Sequence, residues 1–299
     1  MFKVTSVWPH QEQLKVEWNI GKRCNYDCSY CPDSIHDNYS PHTPIDILEK
    51  TVDRLCELEK PLRISLTGGE PAVHPDIEDL LEYFKRKGIF WVNLTTNGTR
   101  TAEWYLTNEI FFNHIVFSLH FENQNWNRVF NTINEFYNNT DIDFFVNIMA
   151  HHAHMDSVRL VVDKFRSVGI KYAVRRIRWT EGDHNIFDDM RYNGNDLDWL
   201  LNQDATAKPN VRIDNSRIIH ANDVIKLKEN QFKGWTCNAG IESIMINWDG
   251  DVHRATCRVG GSLGNIYHGT FQFPNTPVVC TRDFCTCAAD IPLTKIKHD

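Results

Sequence analysis

Between Leu14 and Arg178 short runs of β-branched and aromatic residues alternate with longer segments of helical period, and this alternation constrains the fold more than any other feature. Strand, crossover helix and strand, repeated, build a parallel sheet covered by helices. The pattern predicts strands at 14–20, 62–67, 89–95, 114–120, 143–149 and 170–178. Six such units joined right-handedly curl into an open barrel, short of the eight strands needed for closure. The expected class is α/β, a partial (β/α)6 TIM-like barrel.

The helices carry their own punctuation. Thr43, Pro44 and Asp46 read as N-cap, first-turn proline and acidic third position ahead of Ile45, Leu48, Val52 and Leu55. Pro75 opens the next helix, with Ile77, Leu80, Leu81 and Phe84 as its buried stripe and Gly88 past its end. Asp156 and Gly169 bracket another.

After Arg178 the regularity ends. Residues 179–236 are polar and are expected to bridge and to cover the barrel mouth, with a short helix at 196–203 and a strand at 211–219. Ile241–Trp248 and Asp251–Cys257, joined by Asp249-Gly250, read as a hairpin with a type I′ turn. The expected division is a barrel core over 1–180, a bridge over 181–234 and a small cysteine-rich α+β domain over 235–299.

In a chain of 299 residues with 41% apolar content, a net charge of −7 and scattered lysines and arginines argue against a nucleic-acid binder. The start of the chain has no secretory pattern, and no run reaches the about 18 apolar residues of a membrane span. Nine cysteines without an export signal are expected to be thiols of a cytoplasmic protein, used as ligands and not as disulfides. They are unevenly placed: Cys24, Cys28 and Cys31 together, Cys56 alone, and Cys237, Cys257, Cys280, Cys285 and Cys287 near the end. Two metal sites is the simplest account, with Cys56 a small core hydrophobe.

Three thiolates in one short loop suit a cluster with one iron left open, because a 4Fe-4S cluster normally takes four cysteines and no fourth lies near. A structural zinc site is the bland alternative. Cys24-x3-Cys28-x2-Cys31 with Tyr30 before the last cysteine resembles the signature of the radical S-adenosylmethionine (SAM) superfamily. The resemblance implies that these cysteines each bind one iron, that the methionine moiety of SAM chelates the fourth, and that Tyr30 lies near the adenine. Thr67-Gly68-Gly69-Glu70-Pro71, one βα unit later, is similar to the family's GGEP motif, which contacts the methionine amino group. Strand parity adds Asn93, Thr95, Asn97, Ser118, His120, Asn147, Arg176 and Arg178 as polar residues near strand ends. Of these Ser118, Asn147 and Arg176 are the expected SAM contacts. His151, His152 and His154 are read as solvated loop residues in preference to a metal site.

The second cysteine group, with its hairpin, resembles the SPASM and twitch extensions of radical SAM enzymes. That resemblance implies one auxiliary 4Fe-4S cluster held by four of Cys237, Cys257, Cys280, Cys285 and Cys287, the alternative being a zinc ribbon. The family chemistry implies reductive SAM cleavage fed by a flavodoxin- or ferredoxin-type donor, then hydrogen abstraction by the 5′-deoxyadenosyl radical. Peptide modification is the favoured use, ahead of small-molecule dehydrogenation, although only about thirteen residues are expected before the first strand, which leaves no peptide-binding domain there. A non-catalytic zinc- or iron-binding interaction protein is the remaining class. No catalytic residue can be named.

Overall fold

The structure, a computed structural model, describes residues 2–7, 12–123, 125–181, 185–188, 191–203, 206, 210–214 and 216–298. Parts of the expected bridge, and the side chain of Arg178, lie outside the described residues. The first strands are β1 (Phe2–Ser6), β2 (Leu14–Asn19), β3 (Leu62–Thr67), β4 (Trp91–Thr96), β5 (His114–Leu119), β6 (Asp143–Ala150) and β7 (Tyr172–Arg176). The helices between them are α1 (Ile45–Cys56), α2 (Ile77–Arg86), α3 (Ala102–Asn108), α4 (Trp126–Asn139) and α5 (Met155–Val168). Strands β2 to β7 pair in parallel and in order, as the alternation requires.

Two strand faces divide the labour. Val16, Trp18, Ile64, Leu66, Leu94, Ile115, Phe117, Val146 and Ile148 are buried against the helices, in one core with Leu48, Leu80, Phe84, Phe136, Val158 and Phe165. Each such side chain contributes about 1.5–3 kcal/mol of burial. The other face is polar: register pairs Asn19 with Thr67, Ser65 with Asn93, Thr95 with Val116, and Ser118 with Asn147. This face lines the barrel interior. Met149 pairs with Arg175 and Ala150 with Arg176, so Arg175 shares the polar face and Arg176 does not, contrary to expectation. Two arginines in succession offer either parity, and only register chooses between them.

Helix ends follow the punctuation in most places. Gly169 closes α5 with φ of +78°, as a left-handed cap should. The Thr43 cap does not form: Pro44 occupies the cap position without a side-chain bond, and the Thr43 carbonyl accepts from His74 Nε2.

Beyond β7 come the β8 (Arg178–Glu181) and β9 (Asn185–Asp188) hairpin, α6 (Gly194–Leu201), β10 (Val211–Ile213), β11 (Arg217–Ile219) and α7 (Ala221–Lys226). The expected strand at 211–219 is thus a hairpin. The last strands are β12 (Thr236–Cys237), β13 (Ser243–Ile246), β14 (Asp251–His253), β15 (Ser262–Asn265), β16 (Val278–Val279) and β17 (Lys295–Lys297). Strand β13 pairs in parallel with β2, so the β13–β15 ladder extends the barrel sheet to nine strands ending at β7. Strand β1, before the first expected strand, joins β10, β11, β12, β16 and β17 in a second sheet.

The hairpin turn is not type I′. Asn247 N bonds Asp251 O, Gly250 N bonds Asn247 O, and Gly250 is left-handed at φ +83° while Asp249 is not. That is a three-residue loop with a glycine bulge, which needs only one residue at positive φ.

Candidate active site at the barrel mouth

Strand β2 ends at Asn19 and the chain runs into the loop bearing Cys24, Cys28 and Cys31, at the C-terminal edge where parallel barrels place their sites. Backbone bonds hold this loop. Cys24 N donates to Asp37 O at 2.7 Å, His36 Nε2 lies 2.7 Å from Tyr26 O, and Lys22 pairs with Asp37 at 3.1 Å. From β3, Gly69 N donates to Gly21 O and Glu70 N to Arg23 O.

This contact explains the two glycines. A Cβ on Gly68 would stand 2.4 Å from Gly21 O, and one on Gly69 would stand 2.2 Å from Lys22 O. The motif therefore approaches the cysteine loop itself as closely as backbone can. Glu70 is 3% exposed, and its carboxylate accepts from Ala72 N (3.0 Å), Thr96 Oγ1 (2.8 Å) and Asn97 N (2.6 Å). Burial pushes its pKa up and these donors oppose that shift. The last two of these bonds tie β3 to β4, and all three still leave acceptor capacity on the carboxylate.

The three cysteines are free thiols gathered with Tyr26 and Tyr30. Asn123 Nδ2 donates to Cys28 Sγ at 3.3 Å and Tyr26 N to Cys24 Sγ at 3.4 Å. The Cys28 thiol is pulled down to about 4, first by the hydrogen bond that Cys31 donates to it and, against burial, by His120. Burial pushes Cys24 up to about 11. Tyr30 lies over His120 with rings 5.9 Å apart at 12°, its hydroxyl 2.5 Å from His120 Nδ1.

Among the described residues no three His, Cys, Asp or Glu side chains are placed to hold a single metal ion. A four-iron cluster takes one thiolate on each iron and spreads its ligands further apart. Three free thiols on one loop, with amide donors aimed at sulfur, fit such a cluster with one iron open.

Sequence reading overlooked Glu122, which accepts from Ser29 N at 3.0 Å and Ser29 Oγ at 2.7 Å and lies 3.3 Å from His151 Nε2. A carboxylate three residues past the end of a strand has no local signal of such a role. Ser118 and Asn147 pair across β5 and β6 on the interior face, and Asn147 Oδ1 accepts from Arg175 Nε at 2.7 Å. Cys56 is partly buried against the main core, as expected of a small hydrophobe.

The tail cysteines separate into two groups. Cys237, Cys257, Cys280 and Cys285 line one small cavity with Asp290, Arg282 and Lys295. Cys287 lines a different, larger one. Lys295 is 2% exposed and donates to the carbonyls of Asp290, Ile291 and Leu293, while buried Asp290 Oδ1 has no hydrogen-bond partner. Four thiols and a buried cation around one hollow fit a thiolate-bound cluster, whose excess charge is negative.

The fold and site together are an open parallel βα barrel with three free thiols at its C-terminal mouth. Residues 18–123, about a third of the chain, match the family model described as Radical SAM superfamily. A domain of that superfamily implies a 4Fe-4S cluster and SAM. Among curated proteins, the bovine "Molybdenum cofactor biosynthesis protein 1" is 31% identical over 104 residues, covering 34% of this chain and 16% of that protein. The "7-carboxy-7-deazaguanine synthase" of Haemophilus influenzae is 38% identical over 78 residues, covering 26% and 34%. The chain thus spans about a third or less of these relatives' length. Among solved structures, "Native anSMEcpe with bound AdoMet and Cp18Cys peptide" is similar with a TM-score of 0.56 and 20% identity, covering 86% of this chain and 78% of that one. Streptococcus suis SuiB bound to S-adenosylmethionine gives 0.56 and 17%, covering 85% and 63%. These likenesses are of fold. None of the described helices is long and apolar enough to cross a membrane.

Proposed function

We propose that the protein is a cytoplasmic SPASM/twitch-type radical SAM enzyme that modifies a peptide by hydrogen abstraction. The observation that carries the radical SAM step is the trio of free thiols Cys24, Cys28 and Cys31 on a loop braced by Gly68 to Pro71. Cys24, Cys28 and Cys31 would hold the cluster, which would pass one electron from a flavodoxin or ferredoxin to SAM and so split it into methionine and the 5′-deoxyadenosyl radical. Asn97 and Asn123 orient donors toward the thiolates, which favours their ionised form. Ser118 and Asn147 present hydrogen-bonding groups to SAM from the interior face, Tyr30 lies toward the adenine, and Arg176 is not carried forward as a contact. Residues 1–180 serve as the core and 181–234 as a bridge that limits water, which a reactive radical requires.

In the 235–299 region, Cys237, Cys257, Cys280 and Cys285 hold an auxiliary 4Fe-4S cluster and Cys287 is the spare thiol. The solved relative with a bound peptide supports the peptide reading. The curated relatives favour a second one, small-molecule chemistry, because their printed names concern molybdenum cofactor and deazaguanine synthesis.

Anaerobic reconstitution tests both the class and the metal. The expected result is iron without zinc, broad visible absorbance from thiolate-to-iron charge transfer, and 5′-deoxyadenosine formed from SAM under dithionite. Zinc in place of iron, with no deoxyadenosine, would identify a metal-binding interaction protein and end the proposal.

A further inference from the structure

A cavity apart from the cluster loop lies at the edge of β7, the last strand of the barrel sheet. We infer that this cavity anchors the substrate and that the substrate presents an oxyanion to it, a carboxylate or a phosphate. The radical SAM reading above is needed only to call the ligand a substrate; the anion site itself does not rest on it.

Its volume is about 770 Å³, inside the roughly 300–1,000 Å³ typical of small-ligand pockets. Three parts of the chain wall it: β7, the helices α6 and α7, and the tail segment Thr286 to Ala289. Cys24, Cys28, Cys31 and the Gly68–Pro71 motif do not line it, so it is distinct from the cluster loop. The described lining carries Arg175, Arg176, Lys226 and Lys228, with Asp223 as its one carboxylate.

Arg175 is the residue built for recognition. Its Nε donates to Asn147 Oδ1 at 2.7 Å and a terminal nitrogen donates to Asn222 Oδ1, so strand β6 and helix α7 both hold the guanidinium. A planar fork already fixed in place loses little freedom when it takes a bidentate oxyanion. The local field agrees in sign: the pKa of His220, beside α7, is lowered by burial and then by Arg175.

The test is calorimetric titration of the anaerobically reconstituted full chain with inorganic phosphate and, separately, with glutarate, at low salt, with and without saturating SAM. At least one anion is expected to bind in the presence of SAM. The substitution R175Q should weaken it tenfold or more. K226Q/K228Q, at exposed positions that leave the fold intact, should weaken it about threefold. Tighter phosphate names a phosphoryl group, and tighter glutarate names a carboxylate such as an acidic peptide side chain. The inference is overturned if neither anion binds, if neither variant changes binding, or if SAM displaces the anion, which would make the cavity the cofactor's own carboxylate pocket. Deoxyadenosine formation in the same preparation separates the two readings. Its absence alongside anion binding defeats the enzyme reading alone, and its presence without anion binding defeats this inference alone.

Discussion

The two cysteine groups make opposite use of the chain. At the mouth, three thiols come from one loop of eight residues, Cys24 to Cys31, and amide groups of Asn97 and Asn123, in the segments that follow β4 and β5, are aimed at them. In the tail, four thiols come from four separate stretches, on β12, after β14, after β16 and near the chain's end. Burial raises thiols in both, Cys24 to about 11 at the mouth and Cys257 to about 12 with Cys237 and Cys285 in the tail, while Cys28 at the mouth is drawn down to about 4 by Cys31 and His120. The difference teaches that the first site gathers its lowered thiol and its amide donors in a single loop, while in the second metal binding must displace protons from thiols that burial makes reluctant.

The widest separation between the two regions should come from ligand removal. Cys28→Ala is expected to reduce deoxyadenosine formation to background while the tail iron stays, and Cys257→Ala to remove about four irons per chain while keeping cleavage within about threefold. Iron counts and deoxyadenosine yields check both. Retained cleavage in Cys28→Ala, or full iron in Cys257→Ala, would erase the distinction.

A smaller effect distinguishes the frames that carry the sites. Gly69→Ala drives a Cβ into the carbonyls of Lys22 and Arg23 and should cost about 1–3 kcal/mol, together with weaker cluster retention. Gly261→Ala, in the tail, meets open space at φ +77° and should cost only the left-handed conformation, about 1–2 kcal/mol, with all iron kept. Thermal melts and iron retention decide. Equal iron loss in both variants would show that the glycines of the GGEP motif have no special part in holding the loop.

The smallest effect concerns acid stability of the barrel frame. Burial lowers the pKa of His114, whose Nδ1 lies 2.8 Å from Asn93 Oδ1, to about 4, against an unfolded value near 6.5. Between those values the unfolded chain binds more protons, so this contribution is complete above about pH 6.5 and is lost as pH falls toward 4. His114→Asn should flatten the denaturation midpoint over that window by less than one proton. An unchanged slope would locate the acid sensitivity elsewhere, for instance at His253 in the tail.

Much of the barrel was legible because it is local. The buried stripe of α2 and the left-handed close of α5 at Gly169 are written in adjacent residues, and so is the cysteine loop. Parity was not: Arg175 and Arg176 are equivalent candidates until β6 is laid beside β7. The Thr43 cap failed for a related reason, since its side chain hydrogen-bonds Tyr267, far along the chain, and not the helix. That the Glu70 side chain also joins Thr96 and the backbone of Asn97, one strand away, was not legible in the motif.

What the amino-acid order determined by itself is the set of elements and the first metal loop, because hydrophobic period, caps and a short cysteine spacing act over a few residues. What only tertiary structure decided is which four tail cysteines share a hollow, that β13 extends the barrel sheet beside β2, and which arginine of β7 shares the polar interior face. Those outcomes depend on strand register and on contacts across long stretches of chain, and neither is encoded in any single segment.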